Sequence, residues 1–508
     1  MKNINKTLSL LTLVSLLCFY NVGHAQIDPS LKEGLKYKLN EDGSHWIKMN
    51  MTTQLWLRYN DNNPASAIGA SAATAYAVPT TYDASIRRMR FVLSGQVTDR
   101  LSFFVQWGQN GISPIAPRKS LQFFHDITAE YAVIPKHFVL GTGIMGWDGP
   151  GRYSNPSTTS IMGIDLPVYQ QTENDITEQD VRKLGVYAKG KIEKLDYRVS
   201  VGIPYAFGIS QIGGAVTNPG DAFVLTQSDN SKSTNPYTKA SPSAYNISTY
   251  NTVPMGATSG NVKGTGSCYQ GYFAYQFLDQ ESNFGAGTNG TYLGKKKVFN
   301  IGAGFKYTPN AMMHLTGADS TATHKYFVDT VTSDMKIFCV DVFLDYPINK
   351  DKGTAITAYA AYTNSDYGAK YIRNVGANNT TNQTLGGSSF NGTGNGFPAL
   401  GTGSSYYTQV GYKFKDGLLG SQGTLQPYAN FLYASYDRLS NPVMVWGAGL
   451  SWLINGHNQK VTLGIENRPV FVSVSSSNAA QYSSNSIGDI VDSKSNKMMA
   501  VLQYQIAF

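Results

Sequence analysis

Apolar and polar residues alternate one for one along many short stretches of this chain. From 47 to 59, Ile47, Met49, Met51, Leu55 and Leu57 share one face, and Lys48, Asn50, Thr52, Gln54 and Arg58 share the other. From 85 to 97, Met89, Phe91, Leu93 and Val97 oppose Arg88, Arg90, Ser94 and Gln96. Phe338, Val340, Val342 and Leu344 oppose Asp341 and Asp345, and Val410, Tyr412 and Phe414 oppose Gln409, Lys413 and Lys415. The last twelve residues repeat the pattern, with Met498, Leu502, Tyr504, Ile506 and Phe508 against Lys497, Gln503 and Gln505. A period of two is the signature of a strand with one apolar face.

The spacing between these strands adds a second signal. Short connections are expected at 98–100, 135–136, 193–194, 347–352, 416–424 and 455–459. Long ones are expected at 60–82, 110–120, 145–180, 204–267, 308–334, 364–403, 435–443 and 468–496. Short and long mostly alternate, as in a membrane β-barrel with tight turns at one rim and loops at the other. Connection 279–296 breaks the rule, because its place in the order calls for a turn. The fold class expected is all-β, a transmembrane antiparallel up-and-down barrel of about 16 strands. No plug-sized segment and no separate periplasmic domain is visible.

Composition narrows the class further. Charged residues make up 15% of the 508 residues, against ~25% in ordinary soluble domains. Polarity comes instead from Ser, Thr, Asn and 51 Gly, beside 33 Tyr. So many aromatics argue against disorder. After the N-terminus no run of ~20 apolar residues could cross a bilayer as a helix. At the N-terminus, Lys2 and Lys6, the apolar run 8–19 and Gly23-His24-Ala25 have the form of a cleaved signal peptide. The division expected is a signal over 1–25, a periplasmic tail over 26–45 and an outer-membrane barrel over 46–508. Terminal Phe508 on an amphipathic strand is the mark that barrel assembly machinery reads. With Cys18 in the signal, Cys268 and Cys339 are expected as two structural thiols, with a disulfide between them left open.

Several motifs carry no chemistry in this setting. Gly141-Thr142-Gly143-Ile144-Met145-Gly146 matches a dinucleotide fingerprint, but Trp147 to Gly151 cannot start the helix such a site needs. The seven His form no metal-ligand spacing, and neither a nucleophile elbow nor a phosphate-binding loop is present. No cofactor, metal or catalytic residue is expected. A barrel enzyme with its groups on separate strands is the alternative from another class.

The charges say more. By strand phase, Lys48, Arg58, Arg88, Arg90, Lys183, Lys189, Arg198, Lys306, Lys413, Lys415, Lys460 and Lys497 face inward, against Asp126, Glu130, Asp196, Asp341, Asp345 and Glu466. Twelve cations against six anions would give the lumen a positive potential that concentrates anions. Arg87, out of phase with Arg88, is expected at headgroup level outside. The loop 145–180, with Trp147, Arg152 and Tyr153 near its start and an acidic run from Glu173 to Asp180, is the candidate constriction.

Ile86-Arg87-Arg88-Met89-Arg90 with Gly95, Thr128 to Ala132, Gly141 to Asn155, the hairpin of 184–202, Tyr407 to Tyr412 and Leu450 to Leu453 together resemble the phosphate-selective porin O and P family. The resemblance covers about half of the chain. It implies a sixteen-stranded barrel, a homotrimer, and anions passing along a basic lumen. The loop 145–180 departs from the family, with one Arg and no Lys before Arg182. The function expected is an outer-membrane porin for small anionic solutes, phosphate among them, with a general porin as the nearest alternative. Its partners would be those solutes, outer-membrane lipid and the barrel assembly machinery, with no nucleic acid.

Overall fold

A computed structural model describes residues 35–71, 73–112, 123–145, 149–154, 157–172, 182–204, 222–224, 258–259, 262–263, 266–285, 287–316, 329–368, 371–385, 389–473 and 491–508. Sixteen long strands run β1 (Trp46–Asp61), β2 (Thr80–Gln96), β3 (Leu101–Ile112), β4 (Phe123–Ile134), β5 (Phe138–Met145), β6 (Lys183–Ile192), β7 (Leu195–Pro204) and β8 (Cys268–Gln276). They continue through β9 (Val298–Thr316), β10 (Asp329–Asn349), β11 (Thr354–Asp366), β12 (Gly403–Lys413), β13 (Thr424–Tyr436), β14 (Val443–Asn455), β15 (Gln459–Ser473) and β16 (Val491–Ala507).

Each strand pairs antiparallel with its sequence neighbours, and β16 pairs with β1, so the sheet closes. Closure leaves no strand edge, which lipid would not tolerate. At the seam Phe508 and Met51 exchange two backbone hydrogen bonds, both 3.0 Å, and Asn50 Nδ2 donates to the Phe508 carbonyl. A short strand, Leu35–Lys38, folds back onto the start of β1.

The phases expected from alternation hold on most strands. Leu55, Leu57, Phe338, Val340, Val342, Val410, Leu463 and Ile465 are exposed on the outer face. Gln54, Arg58, Asp341, Asp345, Gln503 and Gln505 are buried on the inner one. This is an apolar-out, polar-in barrel, the arrangement of a transmembrane β-barrel. No helix among the described residues is long and apolar enough to cross a membrane. Cys268 and Cys339 are buried and unlinked.

Three expectations need correction. The strands β9, β10, β15 and β16 run further than expected, so loops placed at 308–334 and 468–496 begin as paired strand. Arg87 does not point to lipid. A bulge between β1 and β2 leaves it without a partner in the register, Gln54 facing Arg88 and Leu55 facing Ile86. The extra residue turns Arg87 to the same side as Arg88. Lastly, the inner faces of β10 and β13–β16 are apolar in part, with Met335, Phe343, Leu432, Val445, Phe471 and Val501 buried. They are apolar because chain segments, not water, cover them.

Those segments are connections that fold inward, where no plug was expected. Residues 149–154 and 157–172 enter from the loop rim after β5. Residues 367–402, between β11 and β12, pack Ile372, Phe390, Phe397 and Ala399 against Leu432, Val443 and Phe471. Residues 277–285 and 287–297, in the connection too long to be a turn, enter from the opposite rim.

The outer face supplies a test of strand phase. Replacing lipid-facing Val340, near the middle of β10, by Arg should cost about 2–4 kcal/mol of folding free energy in bilayers. The reading is denaturant unfolding in lipid vesicles. A cost near zero would place Val340 on the wrong face.

Candidate functional site

The candidate constriction loop meets the wall where glycines let backbone meet backbone. A side chain at Gly304 would strike the Pro150 carbonyl at 2.1 Å, and one at Gly151 would strike Cys339 Sγ at 2.8 Å. Inner loop and wall can therefore touch directly, and the Arg152 amide donates to Asp341 Oδ2 at 2.6 Å. Tyr272 and Tyr359 donate to the same carboxylate at 2.8 and 3.2 Å.

Arg152 then reaches the inward connection from the other rim. Its guanidinium donates to both Glu281 oxygens at 2.6 Å and to the Asn289 carbonyl at 2.7 Å, and lies 3.6 Å from the Phe343 ring centre. Tyr153 stacks on Tyr359 with centroids 4.0 Å apart and donates to the Gly290 carbonyl. Ser157 donates from its amide to the Thr288 carbonyl at 2.7 Å, and the Gly290 amide donates to Ser160 Oγ at 3.0 Å. Two connections from opposite rims thus hold one another inside the barrel.

Beyond Ser157 the loop meets the far wall. Gln54 Nε2 donates to the Thr158 carbonyl at 3.0 Å, Gln505 Nε2 to Thr159 at 2.9 Å and Lys460 Nζ to Ile161 at 2.6 Å. Asp165 accepts from Arg87 at 2.9 Å and from Arg88 at 2.5 Å. Residues 149–154 and 157–172 therefore bridge β10 to β1, β2, β15 and β16, across the lumen. Trp147 and the acidic run Glu173 to Asp180 lie outside the described residues.

Most of the other inward cations are engaged too. Arg58 pairs with Asp83 at 2.8 Å and donates to the Ala377 carbonyl at 2.7 Å. Arg90 donates to the Gln109 carbonyl at 2.8 Å and to Asn110. Lys189 pairs with Glu130 at 2.6 Å, Arg198 with Asp196 at 3.2 Å and Lys413 with Asp416. Lys183 is buried on the inner face of β6. Lys415 lies past the end of β12, exposed in the turn, because the strand stops at Lys413. Sequence phase overlooked the acids Asp83, Asp165 and Glu281, and also the cations Arg87, Arg152, Lys191 and Arg468. The additions fall on both signs, so they do not reverse the basic excess of the inner face. They do show that most of these cations anchor chain segments.

At the turn rim the interior opens into a vestibule of about 910 Å³. Its wall carries Lys295, Lys350 and Lys413 with Asp416, and His457. Burial lowers His457 to about 3, and its Nε2 donates to the Thr291 carbonyl, so it adds no charge at neutral pH. Among the described residues no cluster of His, Cys, Asp or Glu is arranged to hold a metal ion.

No protein-family model matches the chain, and no curated protein matches it in sequence. Among solved structures it is similar to OprB of Pseudomonas putida, with a TM-score of 0.46 and 10% identity over 91% of this chain and 94% of that one. It is also similar to an anion-selective porin from Comamonas acidovorans, at 0.43 and 9% over 91% and 99%. OmpF of Salmonella typhi gives 0.42 and 10% over 92% and 99%.

The Arg152–Glu281 pair makes a direct prediction. Burial pushes the Glu281 carboxyl up, but the Arg152 charge and the hydrogen bonds from Arg152 and Tyr292 outweigh it and hold it at about 2. Its folded value lies below the unfolded one of 4.5. Its stabilisation is therefore complete above that unfolded value and is lost only as pH falls toward 2. Removing the carboxylate strands a buried guanidinium, which typically costs about 3–5 kcal/mol. In Glu281→Ala the two connections should part. Protease nicking of 149–172 in the folded barrel should rise at neutral pH, while the unsubstituted protein stays resistant down to pH 3. Equal resistance of the two would remove the pair from this role.

Proposed function

We propose that this chain forms an outer-membrane diffusion channel for small hydrophilic solutes, with a preference for anions. One observation carries the reading: a closed sixteen-stranded barrel, apolar outside and polar inside, whose interior opens at one rim into a vestibule with more lysine than carboxylate. Barrels of about 16–18 strands are wide enough for an aqueous path. Solutes would enter by diffusion, pass the narrow zone around residues 149–172, and be sorted by size and field. Nothing in this mechanism needs a cofactor, an energy source or a catalytic residue.

The finer parts of the reading are proposals of the same kind. The signal over 1–25 delivers the chain, residues 26–45 remain on the periplasmic side, and 46–508 form the barrel. Assembly machinery recognises Phe508, and the mature protein is a homotrimer, as the family resemblance implies. Phosphate is the anion that the resemblance names. The vestibule lysines are point charges that suit any small oxyanion.

The test is a reversal potential in a KCl gradient across planar bilayers. The unsubstituted channel should prefer chloride. Lys295 and Lys350 are exposed in the vestibule, so Lys295→Glu with Lys350→Glu should lower the preference without disturbing the inner loops. The effect should fade as salt rises, since the Debye length is ~10 Å at 0.1 M. Cation preference in the unsubstituted protein would overturn the proposal.

A further inference from the structure

A second cavity lies deeper in the barrel, above the Asp165 anchor and below the segment 367–402. It measures about 60 Å³, room for roughly four to six waters at ~10–15 Å³ each. That is about the bulk of one sugar ring. Its walls are of two kinds. Tyr169 and Tyr407, with ring centroids 4.8 Å apart, and Trp56 supply aromatic surface. Asn395, Asn430, Glu466 and Arg468 supply planar polar groups.

The polar groups are not used up by the fold. Arg468 holds the chain through its terminal nitrogens, donating to Asn60 Oδ1 at 3.3 Å and to the Gly394 carbonyl at 3.1 Å. Its Nε is buried with no hydrogen-bond partner among the described residues. Asn395 donates its amide to the Ala377 carbonyl at 2.8 Å, yet its Oδ1 is buried and unpartnered. Glu466, half-buried on the inner face of β15, makes no hydrogen bond to a described residue, and neither does the Asn430 amide. Other inner carboxylates, such as Asp165 and Asp341, are each held by two or more donors.

Leaving such groups unsatisfied costs free energy. A ligand in the cavity reaches Glu466 and the Asn430 amide, so it must donate to a carboxylate while accepting from an amide nitrogen. A hydroxyl does both. A simple oxyanion accepts only and offers the Glu466 carboxyl oxygens no donor. An ammonium donates only and would leave the Asn430 amide unmatched. We infer that this cavity is a binding subsite for a neutral polyhydroxylated ring of monosaccharide size, its C–H faces against Tyr169 and Tyr407 and its hydroxyls on Glu466 and Asn430. The inference goes beyond anion permeation and stands whether or not the barrel conducts.

The test uses full-length protein in detergent, with D-glucose as the probe and tryptophan fluorescence as the readout, since Trp56 is in the wall. The expected result is a saturable change that disappears in Trp56→Phe. Its half-saturation should rise about tenfold in Glu466→Gln and in Asn430→Ala, each having lost a hydrogen-bonding group. Both variants are first checked for the heat-dependent gel shift of a folded barrel, and whichever folds is read. A response that only grows linearly with glucose would overturn the subsite, the cavity then holding water alone. Saturation that both variants leave unchanged would overturn its location. Saturation by sodium phosphate in place of glucose would overturn the neutral class. Chloride preference failing while glucose saturates would sink the anion reading and leave this one standing.

Discussion

Everything in this molecule depends on closing the hydrogen-bond ladder between β16 and β1. Lipid offers no partner for an open N–H or C=O, so a barrel with one free edge has no stable place in a membrane. The seam meets that demand with backbone pairs from Thr52–Ala507 to Asn60–Met499 and with the Phe508–Met51 exchange at its lower end. Side chains reinforce it from inside, where Trp56 Nε1 donates to Gln503 and Gln54 donates to Gln505, each at 2.8 Å. Once the ladder closes, the outer face has only to be apolar, and selection on the inner face is free to serve packing or passage.

That division explains what could be read from the residues. A strand has a period of two, so a lipid-facing row announces itself without any knowledge of neighbours. Leu55 and Leu57, Val340 and Val342, and Ile506 were legible on that ground. The interior was legible only where it stayed polar. Phe343, Leu432 and Phe471 break the alternation because residues from distant loops cover them, and no local pattern encodes that cover. Arg87 was misplaced for a related reason. A bulge is one residue of slip in a partner strand, and the count of residues in a single strand cannot show it.

The site was legible in part. Loop 145–180 drew attention by its position and by Arg152 and Tyr153, and the structure brings both into the lumen. Their partner Glu281 was hidden in a connection whose only signal was being too long for its place in the order. Asp83 and Asp165 were hidden too, because the strand phases began two residues too late for one and ended before the loop that holds the other. Charge counting along strands therefore described the wall, whereas the lumen field is set by wall and loops together.

The bridge between Arg152 and Glu281 also bears on how the barrel is made. Its partners are 129 residues apart in the chain, while Trp56 and Gln503 at the seam are 447 apart. Nearby segments meet sooner than distant ones, because the entropy of closing a loop grows with its length. On loop-closure entropy alone, the inner bridge therefore costs the chain less to close than the seam does.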